Sequence, residues 1–271
     1  MSNISAQRPI GVFDSGMGGL TVLAALRARL PGEDFVYLGD TARLPYGTKS
    51  AATVVKYAAG AARHLQRYDI KALVVACNTA SGLALAALRA QLPELLIVGV
   101  VEPGAQAAVA TADARGILVL ATESTIAGGA YQTALQRRAP HLPVRGRAAP
   151  LWVTLAEMGT ADEALVDAVL THDLGLLQQT DAPGTLLLGC THFPVFRAAI
   201  SRLVAPDVQV VDSASTTAQA VAEELAALEL NHPSVTGGRV RYLATDGQAR
   251  FTRVAPLFLG ETVDAVELID L

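Results

Sequence analysis

The 271-residue chain contains only two cysteines, and both are presented in the same way. Leu73-Val74-Val75-Ala76 runs into Cys77-Asn78-Thr79-Ala80-Ser81, and Leu186-Leu187-Leu188-Gly189 runs into Cys190-Thr191-His192-Phe193-Pro194. An apolar run bounded by small or polar residues reads as a buried parallel strand. Leu83, Leu85 and Leu88 then read as a helix, with Thr79 or Ser81 as its cap. Each thiol is thus delivered to the carboxyl end of a strand, where open α/β sheets bind ligands and helix amino termini favour anions and thiolates. A cysteine taken singly is more often a small buried hydrophobe. Two thiols at equivalent strand ends suit a reaction that needs an acid and a base on opposite faces of one carbon. In a racemisation without cofactor, one thiolate removes the proton at a stereocentre and the opposite thiol returns one to the other face, each poised near the working pH. Asp14 in the first part of the chain, and His192 with Glu157 in the second, are polar residues placed to tune them. Outside such a site, Asp14 reads as a turn residue, Glu157 as a solvated helix-start acid and His192 as a helix-start histidine bonding backbone.

Other chemistries leave part of this pattern unused. A Cys-His hydrolase could employ Cys190 and His192 but leaves Cys77 idle. A redox-sensing or binding protein needs the thiols and none of their neighbours. The histidines, His64, His141, His172, His192 and His232, are scattered singly, with no Cys-x-x-Cys and no helical His pair, so no metal is expected. Pyridoxal phosphate needs a lysine in its pocket; Lys49 lies in a loop, Lys56 on a helix and Lys71 just before a strand, so no cofactor is expected either. The turn Asp14-Ser15-Gly16-Met17-Gly18-Gly19-Leu20 has Thr21 where a dinucleotide fingerprint needs glycine, and reads as a tight turn whose N–H groups can hold a carboxylate.

The elements that must position these residues alternate strand and helix. Strands are expected near 9–13, 35–40, 73–76 and 95–101, with helices between them, including one over 51–68. The loop 41–50 carries Pro45-Tyr46-Gly47, a turn signal that places Tyr46 on the surface. The pattern restarts with a strand at 116–121 and a helix from about 130; residues 152–159 have no clear period. A helix through Leu165 and Val169, the Cys190 strand, a strand at 208–213, a helix over 218–228 and a strand at 240–244 follow. Asp14 and Cys77 are 63 positions apart, Thr122 and Cys190 68, which predicts two similar units facing each other across a cleft. The tail, 251–271, has no repeat partner and is expected on the first unit. An apolar fraction of 51% with 17% charged residues argues against disorder. A net charge of −4 without a basic block argues against nucleic acid or an anionic membrane as partner. No leader is visible in residues 1–8 and the run 95–101 is too short to span a bilayer, so a cytoplasmic location with free thiols is expected.

The ensemble Asp14-Ser15-Gly16-x-Gly18-Gly19-Leu20, Gly39-Asp40-Thr41-x-x-x-Pro45-Tyr46-Gly47, Cys77-Asn78-Thr79-x-Ser81, Glu102-Pro103-Gly104 and Gly189-Cys190-Thr191-His192-x-Pro194 closely resembles the bacterial glutamate racemases, of the cofactor-independent aspartate/glutamate racemase superfamily. The likeness runs in order from Ile10 to about Ser213, and Phe258-Leu259-Gly260 resembles the family's ending. It implies interconversion of L- and D-glutamate for peptidoglycan, with a sister racemase acting on aspartate or another acidic amino acid as the alternative. It also implies an α/β fold of two similar doubly wound, mostly parallel-sheet domains, residues 1–101 plus 213–271 and residues 102–212, with the site between them, and a homodimer. By motif, Cys77 acts on the D face and Cys190 on the L face, assisted by Asp14, Glu157 and His192. Asp14, Ser15, Tyr46, Gly47, Asn78, Thr79, Thr191 and His192, with Thr122 and Thr125, hold the substrate. Two departures stand out: Gly128 and Gly129 precede Tyr131 where the family often has a serine, which predicts a missing anion contact, and Met158 replaces the second of two acids beside Glu157.

Overall fold

The computed structural model describes residues 5–160, 162–179 and 181–271; of the segment read for a leader, residues 1–4 fall outside them. The first unit is built from β1 (Ile10–Asp14), α1 (Leu20–Arg29), β2 (Phe35–Gly39), α2 (Ala51–Gln66), β3 (Ala72–Val75), α3 (Asn78–Gln91), β4 (Leu96–Gly99) and α4 (Val101–Thr111). Every residue of β1, β2 and β3 is buried, as strands covered by helices on both faces must be. Each fully buried aliphatic side chain contributes about 1.5–3 kcal/mol, so these runs fix both the strands and where they end.

The second unit comprises β5 (Ile117–Ala121), α5 (Glu123–Gly128), α6 (Ala130–Arg138), β6 (Val144–Ala148), α7 (Pro150–Met158), α8 (Glu163–Leu174), β7 (Thr185–Gly189), α9 (Arg197–Leu203) and β8 (Gln209–Asp212). The chain then returns to the first sheet through α10 (Ser213–Ala227), β9 (Val240–Ala244), α11 (Gln248–Leu259) and β10 (Glu267–Leu268). The sheets run β10-β9-β2-β1-β3-β4 and β6-β5-β7-β8, and every described strand pair is parallel. Setting aside β9 and β10, both units have the order second-first-third-fourth. The expected repetition is real at the level of topology, and each cysteine follows a third strand. The tail packs as expected on the first unit, with α11 against α1 and β10 beside β9.

Local structure departs from expectation where the pattern was weakest. β6 was not anticipated: it is a half-exposed edge strand in which Arg145 and Arg147 interrupt the apolar residues and pair with Asp181 and Asp173. Residues 152–159 fall mostly in α7, which begins with Pro150 and stops at Gly159, whose φ of 64° is the left-handed conformation of a helix end. Loop 41–50 forms two short 3-10 turns, and Tyr46 is buried rather than on the surface. Its hydroxyl donates to Asp40 Oδ2 at 2.6 Å, and Tyr57 packs against its ring. Lys71 lies at the amino end of β3, where its ammonium donates to the carbonyls of Ala6 and Leu230 and faces Glu33. It therefore belongs to the end of the sheet remote from the thiols.

Candidate active site

Cys77 follows β3 and itself forms the amino-terminal cap of α3, its sulfur accepting the Ala80 N–H at 3.5 Å. The cap expected at Thr79 or Ser81 is thus the thiol, and Ser81 Oγ instead accepts the Val100 N–H. The Ser15 hydroxyl also donates toward the sulfur. These donors do not prevail: burial, reinforced by the Asp14 carboxyl, pushes the Cys77 thiol up to about 12. At Cys77, loss of water thus outweighs the helix terminus. Asp14 is fully buried at the end of β1, and burial raises its pKa although His192 and the Gly16 N–H act against the shift. Its Oδ2 accepts that N–H at 2.9 Å, so the carboxylate the glycine turn holds is the chain's own.

Cys190 has side-chain company instead. Its sulfur lies 3.6 Å from His192 Nδ1, and His192 Nε2 lies 2.6 Å from Glu157 Oε1. Glu157 is buried on α7, not solvated, and Arg250 of α11 donates to its Oε2 at 3.0 Å. Burial disfavours the imidazolium, but hydrogen bonds to Cys190 and Glu157 outweigh it and hold the His192 pKa well above the ordinary imidazole range. Burial likewise disfavours the Glu157 carboxylate, which His192 and Arg250 nevertheless keep below its ordinary value. A cation beside sulfur is the arrangement that favours a thiolate. His192 thus bonds side chains rather than backbone.

The carboxyl ends of the two sheets meet around these groups. A Cβ at Gly18 would lie 2.5 Å from Thr191 Oγ1 and 2.6 Å from the His192 ring, so the glycine turn lets the second unit approach Asp14. Thr21, the residue that spoils the dinucleotide fingerprint, donates its hydroxyl to the Thr191 carbonyl at 3.0 Å. Thr79 of the first unit forms a hydroxyl triangle with Thr122 and Thr125 of the second, with sides of 2.9, 3.1 and 2.9 Å. Ser124 Oγ donates to the Gly47 carbonyl at 2.7 Å.

These groups enclose a cavity of about 20 Å³, lined by both thiols together with Ser15, Tyr46, Gly47, Asn78, Thr79, Thr122, Thr191 and His192. Such a volume holds about one water molecule and is smaller than an amino acid. A larger hollow, about 720 Å³, opens along β4 between α3, α4 and α10, but no thiol, hydroxyl or imidazole lines it.

Of the expected residues, Asp14, Glu157 and Thr125 are not in the cavity wall but directly behind residues that are. Gly128 faces Leu83, Gly129 divides α5 from α6 with φ 65°, and neither lines the cavity. Met158 is exposed on α7. Three supporting residues were not anticipated: Tyr131, whose hydroxyl donates to Asn78 Oδ1 at 2.6 Å; Ser213, 3.4 Å from Asn78 Nδ2; and Arg250. None carries a local signal, because each acts on a partner far away in the chain. Among the described residues no group of acids, histidines and cysteines is arranged to hold a metal ion, and no helix is long and apolar enough to cross a membrane.

The aspartate/glutamate/hydantoin racemase family model matches residues 20–221. A glutamate racemase of Geobacter metallireducens is 44% identical over 264 residues, covering 97% of each chain. Among solved structures, a glutamate racemase isoform of Bacillus anthracis superposes with a TM-score of 0.93 at 34% identity over 98% of each chain. The Francisella tularensis enzyme, crystallised with D-glutamate, gives 0.89 at 31% identity, again over 98% of each chain.

Proposed function

Since the chain belongs to the aspartate/glutamate/hydantoin racemase family, we propose that it interconverts L- and D-glutamate by passing the α-proton between two thiols. The observation that carries this reading is that Cys77 and Cys190, from equivalent strand ends of two units, line one small cavity. The thiolate on one face takes the α-proton, and the electron pair left on carbon is delocalised into the α-carboxylate. The opposite thiol then gives its proton to the other face, leaving the two sulfurs with exchanged protonation states. The hydroxyls of Ser15, Thr79, Thr122, Thr125 and Thr191, the Asn78 amide, the Tyr46-Gly47 turn and His192 hold the carboxylates and ammonium. Asp14 supports Cys77; His192 and Glu157 support Cys190. Excluding water strengthens each of these contacts as charge develops. The product serves peptidoglycan synthesis in the cytoplasm, and a homodimer is the expected assembly.

Circular dichroism of purified protein with L-glutamate and with L-aspartate tests the substrate. Ellipticity should decay to zero with glutamate, and in heavy water deuterium should appear at the α-carbon of the product before that of the remaining substrate. Turnover of aspartate alone would replace this reading with the sister activity.

A further inference from the structure

The Glu157–His192 pair belongs to the second unit, yet two of its close neighbours come from α11, which packs on the first. Arg250 Nη2 lies 3.0 Å from Glu157 Oε2 and 3.1 Å from the Glu157 carbonyl oxygen, and the Phe258 ring stands perpendicular to the His192 ring with centroids 5.6 Å apart. The same helix is anchored to the first unit through Phe251, whose ring meets Tyr37 at 6.1 Å. Because His192 binds one carboxylate oxygen and Arg250 the other, the guanidinium fixes the rotation of the carboxyl group as well as its charge. The contact crosses between the units.

We propose that Arg250 is a positioning residue: from the first unit it aims the Glu157 carboxylate at His192, and through that pair it readies Cys190 as base. This rests on the two-thiol reading above. The titratable and charged groups facing the Cys190–His192–Glu157 chain are Asp14 at the end of β1, Tyr37 of β2, Cys77 at the start of α3, Tyr131 of α6 and Arg250, with the Met17 N–H directed at Glu157. Arg250 is the one cation among them besides His192. Removing a positive charge raises the pKa of its neighbours, so the Glu157–His192 pair must become harder to deprotonate.

Arg250→Ala should lower kcat/KM for glutamate about ten-fold at neutral pH and move the acid limb of its pH profile up by about half a unit to one unit, so that the deficit narrows at higher pH. Arg250→Lys keeps the charge and should recover activity to within about three-fold. In a Glu157→Gln background Arg250→Ala should change kcat/KM less than about two-fold, because the residue it acts through is gone. Arg253→Ala, an exposed arginine on the same helix, should change nothing. An unmoved acid limb, or an undiminished effect in the Glu157→Gln background, would overturn the proposal. A readout independent of turnover is the His192 Nε2–H proton resonance, which should lie far downfield in wild type, broaden or vanish in Arg250→Ala and persist in Arg250→Lys. A wild type inert toward glutamate would refute the racemase reading, whereas an unchanged resonance in Arg250→Ala would refute the positioning role by itself.

Discussion

The two units share a strand order and each places one thiol after its third strand, but the company of the two thiols is opposite in kind. Around Cys77 the donors are a backbone N–H at the head of α3 and the Ser15 hydroxyl, the charged neighbour is a carboxyl, and the thiol is held protonated. Around Cys190 runs a chain of imidazole, carboxylate and guanidinium that reaches the protein surface at Arg250. Topological repetition thus brings one sulfur from each unit to a single cavity, and the side chains beyond each sulfur differ. On the proposed two-thiol reading, the isomer whose α-proton faces Cys190 meets the imidazole–carboxylate chain, and the family likeness makes that isomer L-glutamate. On the same reading, Cys77 must lose its proton in the opposite direction, and the substrate ammonium would supply a counter-charge there.

Removing either sulfur tests that division most severely. Cys77→Ala and Cys190→Ala should each lower racemisation about 1,000-fold or more, since general acid–base groups typically supply 10²–10⁴ and no nearby side chain can take either place. L- and D-glutamate have equal free energies, so kcat/KM must match in both directions for any variant, and net rates cannot reveal which face was damaged. Isotope exchange can. In heavy water, Cys77→Ala should still exchange the α-proton of L-glutamate without inverting it, and Cys190→Ala that of D-glutamate only, as followed by proton NMR. Racemisation within ten-fold of wild type in either variant breaks the two-thiol mechanism.

Most of the positioning frame is legible in the sequence, and the reason is physical. Strands β1, β3, β5 and β7 are continuous apolar runs because both faces are covered, and a chain that buries every residue of a strand announces where the strand ends. Cys77 and Cys190 were found by that route, and Asp14 and His192 by adjacency to it. β6 was missed because an edge strand with Arg145 and Arg147 has no such run. Tyr46 was misplaced because its turn is covered by Tyr57 and Phe13, which local turn chemistry does not report. Tyr131 and Arg250 act across 53 and 93 positions of chain, beyond any periodicity or motif.

The raised pKa of Cys77 gives a second and smaller effect, separable from simple inaccessibility. In a Cys190→Ser variant, Cys77 is the one thiol left for iodoacetamide, and only its thiolate reacts. With a pKa of about 12 instead of 9, the thiolate fraction at pH 8 falls about 1,000-fold if access is unchanged; opening of the units offsets part of this, so alkylation about 100-fold slower than that of a free cysteine is expected. The sign lies in the pH dependence. A buried thiol with a raised pKa should react ten times faster for each unit of pH up to pH 10 without levelling, whereas an ordinary thiol levels off near 9. Steric protection alone slows the reaction equally at every pH. A plateau below pH 9 would therefore remove the asymmetry between the two faces.

The smallest expected effect concerns Asn78, which adjoins Cys77 but is oriented from the second unit. Tyr131 is fully buried, its ring against the positions of Gly104 and Gly189, and its hydroxyl reaches Asn78 Oδ1 at 2.6 Å. Tyr131→Phe keeps the ring and removes that one donor. A buried acceptor without its partner costs about 1–3 kcal/mol, but the Asn78 carboxamide can turn toward Ser213, so the lower end applies. If Asn78 holds the substrate, as proposed, and moves no proton, KM should rise about five-fold for both isomers with kcat little changed. The His192 Nε2–H resonance should stay where it is, since nothing on the Cys190 side has been touched. A fall in kcat at constant KM would mean instead that Asn78 contributes to the proton transfer at Cys77, and the division between a substrate-holding amide and a proton-carrying thiol on that face would have to be redrawn.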